Sequence, residues 1–252
     1  MVASVSRRPG RLVLIPAVLA TFAMWACNSA VPPEPTPSST TTTTTTLLPP
    51  PPPPPPPPQT ARYRVTFDAL WSGTTHPDDF PADAHFSGLI GGTHTAGVSF
   101  WMPGVLASSG IQRMAEEGSK TPLDMDVMAA ITADTAEFLL SGGGLSDSPD
   151  TVSLEFTISQ SFPRVTLVSM IAPSPDWFVG VTGVPLFDMG AWRDEVRIDL
   201  PPWDAGTDSG TTFQAPDEET RPHVPISRIT TFPFLNGGQV LPIGTFTFVR
   251  IE

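Results

Sequence analysis

The sequence has 252 residues, 40% of them apolar, and one cysteine, so it can bury a proper core but cannot form an internal disulfide. Its 32 prolines are too many for one globular domain and point to a linker. The formal net charge of −12, from 25 acidic and 13 basic residues, argues against nucleic acid and anionic membrane surfaces as partners and is compatible with divalent cations.

Residues 1–26 read as a lipoprotein signal peptide. Arg7, Arg8 and Arg11 precede an apolar run, Leu12 to Ala23, that is shorter than the roughly 20 residues a membrane span requires. Met24-Trp25-Ala26 then leads into Cys27, where a bacterial lipoprotein signal places its acylated residue. Every acidic residue lies beyond Cys27, so cleavage leaves 10 basic against 25 acidic residues, a net of −15. The expectation is a chain lipidated at Cys27, anchored to a membrane of the cell envelope and facing outside the cytoplasm. Residues 27–60 form a linker: Thr40 to Thr46 is all threonine and Pro49 to Pro58 all proline. Neither run can bury a core, and ten prolines in polyproline II make a stiff spacer of roughly 30 Å.

Residues 61–252 carry β patterns. Tyr63, Val65, Phe67, Ala69 and Trp71 alternate with Arg62, Arg64, Thr66 and Asp68, which predicts a half-buried strand. Gly91-Gly92 reads as a turn. Ser108 to Glu117 predicts a short helix capped by Ser108 or Ser109, and a second short helix is expected around Asp126 to Ile131. Gly142 to Gly144 is another turn. Leu154, Phe156 and Ile158 point inward from a strand whose outward residues are Ser153, Glu155 and Thr157. Arg164 to Ile171 is apolar on both faces and reads as a central strand covered on both sides. Val196, Ile198 and Leu200 alternate before Pro201-Pro202, Asn236-Gly237-Gly238 is a turn, and Thr245 to Glu252 reads as a final strand.

Certain stretches are too particular to be composition. They are Tyr63 to Ser72, Thr75 to Pro81, Pro173-Ser-Pro-Asp-Trp-Phe-Val-Gly-Val181, Gly190-Ala-Trp192 and Asp204-Ala-Gly-Thr-Asp-Ser-Gly210. In this order they resemble the spondin N-terminal domain family, found in animal matrix proteins and in some secreted bacterial proteins. The resemblance implies an all-β fold, an antiparallel C2-like β-sandwich with short helices in long loops. It further implies one calcium site in loops at one end and a role in adhesion or recognition rather than catalysis. By the family's pattern Asp176, Asp204 and Asp208 match calcium ligands, and Glu155 matches a further acidic position.

The chemistry of these residues is consistent with that implication. Calcium takes six to eight oxygens from somewhat flexible loops. Asp176 lies between Pro175 and Trp177, where restricted backbone presents its carboxylate. Asp204 and Asp208 lie four apart in a glycine-bearing turn. Taken singly, each is an ordinary turn aspartate. Together, several carboxylates at one point need a cation. His76, His85 and His94 lack the tight spacing of common zinc motifs and read as structural. Trp71, Trp177 and Trp192 read as structural too, while Trp101 and Trp203 are candidates for a binding surface. The expected function is a calcium-binding adhesion or recognition module whose partner is a surface protein or glycan. The alternatives are an envelope hydrolase acting on a glycan or ester, and a purely structural envelope protein.

Overall fold

The computed structural model describes residues 55–252. The signal peptide, Cys27 and the linker as far as residue 54 lie outside the described residues. Fifteen strands and two helices follow in chain order. They begin with β1 (Thr60–Ala69), β2 (His85–Phe86), β3 (Ile90–His94), α1 (Ser109–Glu117), α2 (Leu123–Thr132), β4 (Ala136–Ser141) and β5 (Thr151–Ser159). The middle of the domain holds β6 (Arg164–Ala172), β7 (Trp177–Pro185), β8 (Phe187–Asp188), β9 (Ala191–Trp192), β10 (Glu195–Leu200) and β11 (Trp203–Asp204). The chain closes with β12 (Ser227–Arg228), β13 (Leu235–Asn236), β14 (Gln239–Val240) and β15 (Gly244–Arg250).

Two antiparallel sheets form a sandwich. One runs β10-β15-β1-β5; the other runs β12-β11-β7-β6-β3-β4, with β2 lying beside β3 along β6. Tyr63, Val65 and Phe67 of β1 and Phe246 and Phe248 of β15 face Val165, Leu167 and Ile171 of β6 and Val179 of β7 across the core. The strand alternation read in β1 and β5 is the alternation of burial that puts these side chains inside.

β6 is buried along nearly its whole length. Its second face packs under α1, where Val168 and Met170 meet Ile111, Met114 and Ala115. α1 begins where expected, with the Ser108 hydroxyl accepting the Ile111 N–H. α2 is longer than Asp126 to Ile131 at both ends and leans on β3 and β4.

The Gly91-Gly92 pair corrects one expectation. It is not a turn but the middle of β3, between β4 and β6. A Cβ on Gly91 would lie 2.0 Å from the Thr166 carbonyl oxygen. Glycine is there because two backbones approach too closely for any side chain. Gly237 and Gly238, by contrast, do turn the chain, both at positive φ, between β13 and β14.

Candidate metal centre

The β6–β7 connection, Pro173-Ser174-Pro175-Asp176, closes one end of the sandwich. Ser174 Oγ accepts the Trp177 N–H and donates to the Ile171 carbonyl, which fixes the turn. β11 then pairs with the start of β7, with Trp203 opposite Phe178 and Asp204 opposite Trp177. Ala205 N–H donates to the Asp176 carbonyl. The pairing carries Asp204 and the following turn over to Asp176.

The turn itself is built on Gly206, at φ +77°, where a Cβ would lie 2.1 Å from the Val224 carbonyl oxygen. Asp204 Oδ1 accepts the Gly206 N–H at 2.7 Å. Asp176 Oδ2 accepts the backbone N–H of Thr207 at 2.7 Å and of Asp208 at 3.1 Å, and the Thr207 hydroxyl at 3.3 Å. Asp208 accepts Gly210 N–H on Oδ1 and Glu218 N–H on Oδ2. Sequence reasoning passed over Thr207, which is fully buried and gives two of these three donors. Its place beside Asp208, inside the Asp204 to Gly210 stretch, was the available signal.

Asp176 is 0% exposed, and its second oxygen, Oδ1, is buried with no hydrogen-bond partner. Burial, and then the charge of Asp204, push its carboxyl up to about 7, against the pull of the Thr207 and Asp208 N–H groups. Asp204 is also raised, first by burial; the Gly206 hydrogen bond works in the opposite sense and the Asp208 charge adds to the rise. Beside these groups opens a cavity of about 220 Å³ lined by Gln112, Glu116, Glu117, Pro175, Asp208, Asp217 and Glu219. Its acidic wall attracts cations.

Glu155 does not join this group. It lies on the outer face of β5, opposite Arg64 in register. Arg64 reaches it at 2.6 Å and Arg62 at 2.7 Å. The Arg64 hydrogen bond, with both guanidinium charges, holds its carboxyl below the usual range. The outward position was read correctly, but the cross-strand arginines make Glu155 an ion-pair residue of the other sheet rather than a fourth ligand beside Asp176.

Among the described residues no three His, Cys, Asp or Glu side chains converge closely enough to hold a metal by themselves. An ion at the aspartate loops would therefore draw on backbone carbonyls or water besides carboxylates, which is ordinary for calcium. The orphaned Asp176 Oδ1, buried beside a second raised aspartate, fits a cation.

The histidines are each engaged locally. His76 bonds Thr75 and the Leu241 carbonyl, His85 the Asp83 carbonyl, and His94 Thr95 and Thr166. Trp101 is buried against Phe178 and Trp203, at 5.0 and 5.3 Å between ring centroids, so it serves the core rather than an open surface.

The family profile Spondin_N matches residues 61–236. The chain belongs to the Spondin_N family. Spondin-2 of Homo sapiens is 35% identical over 205 residues, covering 76% of this chain and 62% of spondin-2. Spondin-2 of Rattus norvegicus is 33% identical over the same shares. Spondin-1 of Rattus norvegicus is 34% identical, again over 76% of this chain but only 25% of its own length. The chain thus spans 62% of the length of the spondin-2 relatives and 25% of spondin-1. All three aspartates fall inside the Spondin_N match. β15 falls beyond it, yet lies between β10 and β1 in the four-stranded sheet.

Proposed function

We propose that this protein is a calcium-binding adhesion or recognition module, held at the cell envelope by acyl chains on Cys27. The observation that carries the calcium reading is the Asp176 carboxylate, fully buried, with one oxygen saturated by donors and the other facing none. A buried anion in that state is costly unless a cation balances it. Asp176 through Oδ1, with Asp204 and Asp208 and with backbone carbonyls or water, would hold the ion, whose positive charge would offset the burial of the Asp176 and Asp204 carboxylates. Membership of the Spondin_N family supports adhesion or recognition over catalysis, and the partner is a surface protein or a glycan. The acidic chain disfavours nucleic acid.

Isothermal titration of calcium into the full chain tests the first part. Saturable binding is expected, abolished in Asp176→Asn, with a rise in melting temperature that chelator reverses. No heat and no thermal shift would remove calcium from the proposal. Mass spectrometry of the mature amino terminus tests the second part; an unmodified Cys27 would remove the anchor.

A further inference from the structure

The domain grips the end of its own proline run. Gln160 Nε2 donates to the Pro57 carbonyl at 3.3 Å and to the Pro58 carbonyl at 2.8 Å. Trp192 Nε1 donates to the same Pro58 oxygen, also at 2.8 Å. Gln160 N–H then donates to the Gln59 carbonyl at 2.9 Å, continuing the β1–β5 ladder outward. Three consecutive carbonyls are thus satisfied by two residues. Trp192 is only 6% exposed with the segment in place and packs on Phe187 at 4.9 Å. Prolines offer carbonyls and no N–H. A surface that recognises them must donate, and it gains by presenting an aromatic ring, as polyproline-binding grooves do.

The grip has a definite place. Gln160 lies in the turn just before β6, and Trp192 in the β8–β9 hairpin just after β7. The Leu186 N–H bonds the Pro163 carbonyl and Arg164 pairs with Pro185, so these turns share one end of the β6–β7 pair. Asp176 and Asp204 sit at the other end of the same pair. β6 has nine residues, which is about 30 Å of strand.

We infer that Gln160 and Trp192 form a docking site for a proline-bearing segment, filled by residues 57–59 of this chain, which clamps the chain entering the domain at the pole opposite the aspartate loops. The aspartate loops thus lie at the end of the domain away from Pro57 to Gln59. The clamp stands on its own hydrogen bonds and does not depend on calcium.

Spin-label distance measurements on the full chain carrying Cys27→Ser, in detergent, test this. One label is placed at Pro55→Cys and the other at either Met189→Cys, which is 98% exposed, or the exposed Gln214→Cys. Narrow distributions are expected for both pairs, with 55–214 longer than 55–189 by about 20–30 Å. Gln160→Ala with Trp192→Phe should at least double the widths while leaving calcium titration unchanged. Should Trp192→Phe fail to fold, Gln160→Ala alone removes two of the three side-chain bonds and broadens the same distributions. Widths that are already broad, or unchanged by the substitutions, would overturn the clamp. A 55–214 distance no longer than 55–189 would overturn the polarity.

Discussion

Asp176 receives three donors on one oxygen and none on the other, and this imbalance has a measurable pH signature. Its folded pKa of about 7 stands above the usual 3.8. A raised carboxyl stabilises the fold below its unfolded value, and that contribution is lost as pH rises through the folded value, here between about 4 and 7. The ceiling is about 4 kcal/mol, at about 1.4 kcal/mol per pKa unit. His76 and His94 act in the opposite sense. Burial lowers both, so their contribution is present above pH 6.5 and is lost as pH falls below it. In chelator, urea unfolding of Asp176→Asn is therefore expected to show higher stability than wild type at pH 7.5, with a smaller loss than wild type as pH rises from 4 to 7. A variant less stable than wild type in chelator at pH 7.5 would mean that Asp176 is well satisfied as an anion. Glu155→Gln, on the outer face of the other sheet, should leave calcium affinity within about twofold of wild type, since exposed ion pairs contribute little. The acidic character of both residues was plain in the sequence. Which one is orphaned and which is paired was not, because that depends on strand register, and register sets Arg64 across from Glu155.

Among the elements, strands with one wet face were legible by their alternation, and β6, covered on both sides, by its unbroken apolar run. β1, β5 and β10 alternate in sequence because they alternate in burial. β7 is buried on both faces over its first five residues, so its sequence has no period to read. β3 was hidden by its glycines, which normally punctuate turns but here allow β3 and β6 to close together. Gly91→Ala should force that pair apart and cost about 2–4 kcal/mol in urea unfolding. A loss below about 0.5 kcal/mol would show that β3 can shift freely. Ser108→Ala removes the cap of α1 and should cost about 1 kcal/mol.

For the whole molecule, the two sheets share one core, and the last strand is central to it. β15 is hydrogen-bonded on both sides, to β1 and to β10, and buries Phe246 and Phe248. A chain ending at residue 236, where the Spondin_N match stops, should therefore show no cooperative unfolding transition by circular dichroism. A folded, cooperative product would mean that β1 and β10 can rejoin without it.

That β1 pairs with a strand from the far end of the chain also bears on biogenesis. As the chain emerges, β1 can pair first with β5 (Thr151–Ser159), while its other edge waits for β15 (Gly244–Arg250). Until β15 arrives that second edge, on a strand bearing Tyr63, Val65 and Phe67, stays open to other chains. The four-stranded sheet is complete only when β15 enters between β1 and β10, which makes that open edge the place where a growing chain is most exposed to wrong pairing.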